Sequence, residues 1–259
     1  MAGKLSAAGV EVVSEGSGPA VVMLHCLGVD HHVWDDAAAA LGPDFKVMRY
    51  DFPGHGRTSV PSSAYDIEDL SAQLRELLQQ QGVKRASVVG ISLGGLVAQH
   101  FAAANPELVE KVVLVDTTPR YTDASRAMWA ERAATARGKG VSAMTEHLLT
   151  VWFTSDFVKG NPPAVRYVRE RFAKVAGEGY ALACETLARA DLRELTPTIK
   201  APTLVVCGTE DIPDFQEAAR WMAKAIPNAR LEWLSPARHA SPLEQPEAFG
   251  KMLRSFVTE

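Results

Sequence analysis

The chain has 259 residues, 47% of them hydrophobic, which is enough to bury a large core in one α/β domain. Its formal charge of -4 gives no field that would gather nucleic acid or an anionic membrane, so a small neutral or mildly charged molecule is the expected partner. No apolar run reaches the length of a bilayer span, Met1-Ala2-Gly3-Lys4-Leu5 lacks the apolar stretch of a secretory leader, and three widely spaced cysteines (Cys26, Cys184, Cys207) suit buried thiols in a reducing cytoplasm.

Val10-Glu11-Val12-Val13 alternates and reads as an edge strand, whereas Ala20 to His25 is continuous and reads as a buried one. The loop that follows, His25-Cys26-Leu27-Gly28, can present a backbone N–H at the strand end, with Leu27 as the candidate. His25 is expected to order that loop through its ring nitrogens and is kept among the pocket candidates. Asp30-His31-His32-Val33-Trp34-Asp35-Asp36 gathers histidines and carboxylates, but adjacent histidines diverge and no His-x3-His pair converges on one ion. A solvated loop entering a helix, anchored by Trp34, is expected there, with no metal.

Phe45 to Tyr50 is a further strand, closed by the glycine- and proline-rich turn Asp51 to Ser59, in which His55 is placed to brace the loop. Asp66 then caps a helix running to Gln81, with Ile67, Leu70, Leu74, Leu77 and Leu78 at helical spacing and Gly82 as its stop.

The chain is organised around Gly90-Ile91-Ser92-Leu93-Gly94-Gly95, between the apolar run Ala86-Ser87-Val88-Val89 and the helical stretch Leu96 to Ala104. Glycines two positions before and two after a serine suit a turn so tight that a Cβ would strike the neighbouring strand and helix. Such a turn lifts Ser92 clear of the sheet and sets the N–H of Leu93 at a helix N-terminus, where unpaired donors favour an anion.

Lys111 to Asp116 is the next strand, and strand alternating with helix predicts a parallel sheet covered on both faces, with ligands at the carboxyl ends of the strands. From Pro119 to Leu195 the pattern is helical throughout: Ala124 to Arg137, Val141 to Phe153, Ala164 to Ala176 and Gly179 to Ala190. Residues 119–195 are therefore expected to form an all-helical cap inserted in a core of residues 1–118 and 196–259. Trp129, Trp152 and Phe153 are either pocket walls or cap core; Trp129 and Trp152 are carried forward as pocket residues.

Strand pattern returns at Thr203 to Cys207, and Asp211 lies on the turn just beyond it, with Glu210 and Asp214 as competing carboxylates. A helix (Phe215 to Ile226) and the last strand (Arg230 to Leu234) lead to His239, followed by the helical stretch Gln245 to Phe256. A histidine on the loop after the final strand is the natural base for Ser92, and the chain order Ser92, Asp211, His239 agrees with a nucleophile, acid and base on such a sheet.

Over almost its whole length the chain resembles the α/β-hydrolase family, through His25-Cys26-Leu27-Gly28, Asp51 to Ser59, Gly90 to Gly95, Gly208 to Asp211, and His239 with Glu244-Gln245-Pro246. Within it the chain is similar to the 3-oxoadipate enol-lactonases, through His25 to Asp30 with Trp34-Asp35, Gly90 to Gln99, Asp116-Thr117-Thr118 and Val151-Trp152-Phe153-Thr154. It departs from them at Cys26, where a small residue is common, and at Asp214-Phe215, where Thr-Pro is usual.

The resemblance implies an α/β-hydrolase fold and a cytoplasmic serine hydrolase of aromatic-compound catabolism that needs no cofactor. Its substrate would be a small ester or lactone, with no nucleic acid or membrane partner and with homo-oligomerisation left open. In that reading Asp211 orients His239, His239 deprotonates Ser92, and the N–H groups of Leu27 and Leu93 receive the oxyanion. A substrate carboxylate would need a cation from the cap, for which Arg120, Arg126 and Arg132 are available. The alternatives are a broad carboxylesterase, a bromoperoxidase-like perhydrolase, and a ligand sensor that keeps the fold without turnover. A sensor should carry a broken triad or turn, and the sequence has neither.

Overall fold

The computed structural model describes residues 5–259, so Met1-Ala2-Gly3-Lys4 of the leader reading lies outside the described residues. Seven strands are present among the described residues: β1 (Val12–Glu15), β2 (Ala20–Leu24), β3 (Lys46–Tyr50), β4 (Ala86–Ile91), β5 (Val109–Val115), β6 (Thr203–Gly208) and β7 (Ala229–Leu234). The helices of the α/β framework are α1 (Asp35–Leu41), α2 (Ile67–Gln80) and α3 (Leu93–Ala104). Between β5 and β6 come α4 (Asp123–Lys139), α5 (Thr145–Trp152), α6 (Ser155–Gly160), α7 (Pro163–Lys174) and α8 (Gly177–Arg189). The chain ends with α9 (Pro213–Ala225), α10 (Ser241–Glu244) and α11 (Pro246–Thr258). No helix among the described residues is long and apolar enough to cross a membrane.

The strands form one sheet in the order β1-β3-β2-β4-β5-β6-β7. Only β1 runs antiparallel; the other pairings are parallel. Every residue of β4 and β6 is buried, as expected of strands covered on both faces, whereas the edge strand β7 alternates between half-buried and exposed positions up to Trp233 and ends on the buried Leu234. Helix α2 is fixed at its start by a reciprocal pair, the Asp66 carboxylate accepting from the Asp69 N–H and the Asp69 carboxylate from the Asp66 N–H, each at 3.0 Å.

The first strand forms two residues later than the alternation suggests. Its antiparallel register with β3, from Val12 opposite Tyr50 to Glu15 opposite Val47, decides its position. Helix α3 starts at Leu93, three residues before the expected Leu96, because the turn at Ser92 feeds it directly. Helix α6 was not expected. Cys26, Cys184 and Cys207 are free and buried.

Side-chain and backbone bonds stitch the five inserted helices, called the cap below, to the framework. Glu244 accepts from the Thr154 N–H and hydroxyl (2.9 and 2.7 Å) with one oxygen and from the Arg238 N–H (2.6 Å) with the other. The Ala240 N–H donates to Trp152 O at 2.9 Å. On α7, the Tyr167 hydroxyl donates to Asp30 Oδ1 at 2.8 Å and Arg171 pairs with Asp30 Oδ2 at 3.1 Å. On α8, Thr186 and Arg189 both donate to Tyr65 O at 2.8 Å.

Candidate active site

Ser92 sits at the junction of β4 and α3 with φ 51 and ψ -111. A side-chain-bearing residue held at such a φ costs on the order of 1–3 kcal/mol and persists only where its surroundings fix it. They do so here: the Ser92 N–H donates to Val115 O at 3.0 Å, and its carbonyl accepts from the Thr117 hydroxyl at 2.8 Å. A Cβ on Gly90 would lie 2.2 Å from Gly94 O, and one on Gly94 would lie 2.2 Å from Leu24 O. Both glycines are therefore required by close backbone approach. Leu93 opens α3, and neither its N–H nor that of Leu27 has a hydrogen-bond acceptor among the described residues.

His239, on the loop after β7, brings Nε2 to 3.1 Å from Ser92 Oγ and Nδ1 to 3.0 Å from Asp211 Oδ2. All three residues are buried. The other Asp211 oxygen accepts from the Ile212 N–H at 2.7 Å. Glu210 and Asp214 are exposed, and it is Asp211 that reaches the histidine. Burial pulls the His239 pKa down, but the charge and hydrogen bond of Asp211, with Asp116 behind it, outweigh burial and leave it above the ordinary value; Arg132 opposes the rise.

Asp116, at the end of β5, has φ 43 and is fully buried. Its Oδ1 accepts from the Gly208 N–H and its Oδ2 from the Ser241 N–H, each at 3.0 Å. One carboxylate thereby ties the strand end leading to Asp211 to the loop carrying His239. Burial and the neighbouring Asp211 push its carboxyl upward, while the charge of His239 and the hydrogen bond from Ser241 work to keep it ionised. Asp116, Cys207 and Asp211 hold their ligand-type atoms within 4.8 Å of one another, but the carboxylate oxygens are taken up by N–H donors, so the group acts as a brace.

His25 does not line the cavity, contrary to its place among the pocket candidates. Its Nε2 accepts from the Phe52 N–H at 2.8 Å, which fixes the proton on Nδ1, and Nδ1 donates to Cys26 O at 2.7 Å. Both nitrogens are thus used to join the Leu27 loop to the turn after β3, and burial holds the imidazole below its usual pKa. His55 is buried in that turn, donates from Nδ1 to Pro53 O at 3.0 Å, and is pushed down to about 3 by burial and the neighbouring His25. Contrary to the expected divergence, the His31 and His32 rings lie together with centroids 4.1 Å apart, but each Nδ1 is taken up by a different carboxylate, Asp51 for the first and Asp35 for the second, each at 2.9 Å.

A cavity of about 670 Å³ opens above Ser92 and His239. Leu27, Trp129, Trp152, Arg120 and Arg132 line it, while Phe153 packs against Phe157 in the cap interior. The three candidate arginines differ. Arg120 pairs with Asp123 at 3.0 Å and lies 3.6 Å from Asp191, and Arg126 is not part of the lining. Arg132 lines the cavity, stacks 4.9 Å above the Trp129 ring, and has no carboxylate partner among the described residues.

Sequence reasoning missed Tyr121, Tyr180 and Phe215, which also line the cavity. Phe215 lies 4.3 Å from the His239 ring and Tyr121 stands edge-on to Trp129 at 5.3 Å. Phe215 carried a signal of sorts, since it replaces the proline usual in similar sequences. Tyr121 lies in an aperiodic stretch and carried none.

Residues 19–246 match the alpha/beta hydrolase fold family. The chain is 32% identical to "3-oxoadipate enol-lactonase 2" of Acinetobacter baylyi over 92% of this chain and 88% of that one. It is 30% identical to the pimeloyl-[acyl-carrier protein] methyl ester esterase of Vibrio vulnificus over 94% of this chain and 96% of that one. The crystal structure of the enol-lactonase from Burkholderia xenovorans LB400 superposes with a TM-score of 0.92 at 35% identity, covering 96% of each chain. With a serine on a strained strand-to-helix turn, a mostly parallel sheet and a match spanning nearly all of its length, the chain belongs to the alpha/beta hydrolase fold family.

Proposed function

We propose that this enzyme hydrolyses a small ester or lactone bearing a free carboxylate, with 3-oxoadipate enol-lactone as the substrate, through an acyl-enzyme on Ser92. The observation that carries the reading is the line from Asp211 through His239 to Ser92, at 3.0 and 3.1 Å, beneath a cavity that holds an unpaired arginine.

The chemistry follows from these positions. His239 Nε2 accepts the Ser92 proton as Oγ attacks the carbonyl carbon, and Asp211 keeps the other ring proton on Nδ1. The oxyanion is received by the N–H groups of Leu27 and Leu93, an arrangement worth roughly 3 kcal/mol per donor in comparable sites. Collapse breaks the ring C–O bond, the protonated His239 returns its proton to the departing enol oxygen, and the enol becomes a ketone. Water deprotonated by His239 then releases the acid. Arg132, with no carboxylate of its own, is placed to bind the one left free by the lactone.

The test compares kcat/KM for the enol-lactone and for p-nitrophenyl acetate. A preference for the lactone of about a hundredfold or more is expected. Equal values would favour a broad carboxylesterase, a second reading supported by a cavity of about 670 Å³, roomier than a six-carbon lactone requires.

A further inference from the structure

Tyr121 lines the cavity beside Ser92 and is 5% exposed, and its hydroxyl, near enough to Ser92 for the serine to favour its ionised form, makes no well-formed hydrogen bond among the described residues. A buried hydroxyl left unpaired costs on the order of 1–3 kcal/mol, so its persistence beside a reacting serine calls for an occupant that pairs with it. The ring is held firmly, edge-on to Trp129 at 5.3 Å and to Phe215 at 6.2 Å. Burial raises the phenol far above its ordinary pKa, against the pull of Ser92 and Arg132, so the group remains an O–H donor at any working pH.

Strand order decides what that donor faces. The loop after β2, with Leu27, flanks Ser92 on one side of β4; Tyr121 follows β5 on the other side, towards β6 and β7, whose loops bring Asp211 and His239. With the oxyanion drawn to Leu27 and Leu93, the leaving-group oxygen must turn towards His239 to receive its proton. That is the side on which Tyr121 stands.

We infer that Tyr121 is a catalytic residue that donates a hydrogen bond to the leaving-group oxygen of the substrate. When the tetrahedral intermediate collapses, the C–O bond breaks and its electron pair passes to that oxygen. The proton comes from His239 Nε2, and Tyr121 keeps its own while its O–H stabilises the growing charge. In deacylation the incoming water occupies the same place, gives its proton to His239, and accepts the same hydrogen bond. This assignment rests on the serine-hydrolase reading above.

The test is Tyr121→Phe across acetate esters of rising leaving-group pKa: p-nitrophenyl, phenyl, vinyl and ethyl. It reads kcat/KM, which reports acylation. The loss is expected to grow along the series, from about threefold or less with p-nitrophenolate, whose charge is delocalised, to about tenfold or more with the localised alkoxide. Losses equal at every leaving group, losses that shrink along the series, or no loss at all would overturn the assignment. The variant keeps the ring contacts and gives up a hydroxyl that makes no well-formed hydrogen bond, so its melting temperature should lie close to the wild type. Ser92→Ala on the same esters separates the two claims: turnover surviving that change defeats the serine-hydrolase reading itself, whereas failure of the leaving-group trend defeats only the role of Tyr121.

Discussion

At the rim of the sheet, Ser92, Asp116, Asp211 and His239 each find hydrogen-bond partners inside the protein, whereas on the cavity wall, among the described residues, Trp129 holds a buried donor with no partner, Tyr121 a hydroxyl with no well-formed bond, and Arg132 no carboxylate. The rim spends its polar groups on one another and is therefore set before anything binds. The cavity wall keeps donors in reserve, at a cost that an acceptor inside the cavity, water or ligand, can offset. On the proposed reading, the contrast separates the groups that relay the serine proton from the donors left to meet the substrate, Tyr121 among them.

Three sets of substitutions sharpen the contrast. Removing rim groups should have the largest effect on turnover: Ser92→Ala is expected to lower kcat by about 10⁶-fold and Asp211→Asn by about 10⁴-fold, while Asp214→Asn, exposed and away from His239, stays within about twofold. On the proposed mechanism the neutral imidazole is the working form, so the wild-type rate should fall as pH drops through a pKa above the usual 6.5 or so. Asp211 supplies the main upward influences on His239, so the residual activity of Asp211→Asn should keep to lower pH before it falls. A pH–rate profile checks both.

On the other wall, Arg132→Met should raise KM for the anionic lactone about tenfold and leave p-nitrophenyl acetate within about twofold. Because Arg132 holds the His239 pKa down, losing it should move the acid limb to higher pH. An unchanged limb would mean that its charge does not reach the imidazole.

The smallest effects are on stability, and they should differ in kind between the walls. In Asp116→Asn one carbonyl replaces two acceptors and an amide group meets a backbone N–H, for a loss of about 1–3 kcal/mol in urea unfolding. Trp129→Phe gives up a donor that has no partner in the protein and should cost less through hydrogen bonding than through lost ring area. If the losses through polar contacts proved alike, the division into satisfied rim and waiting wall would fall.

The parts of the site visible in the amino-acid order are those with local causes. Gly90 and Gly94 report a steric demand that acts within a few residues, and the buried strands announce themselves by continuous apolar runs, so the sheet and the placement of Ser92 could be read directly. Asp211 and His239 needed only their places after successive strands. What escaped was set by distant docking. The direction of the Tyr121 ring depends on Trp129 and on Phe215, the latter 94 positions along the chain, and the part of Asp116 depends on Gly208 and Ser241, 92 and 125 positions away. His25 was listed with the pocket because its position at a strand end is open to either role; its two hydrogen bonds to backbone decide against it.

Glu244 holds the end of α5 and the segment bearing His239 with a single carboxylate, and Ala240 N–H to Trp152 O adds a second tether. Any swing of that cap helix would drag the imidazole away from the serine, so traffic through the cavity has to avoid this hinge. The exposed side chains of Glu217 and Trp221, the latter 38% open to solvent, carry the cavity lining along α9 out to the surface, away from this joint.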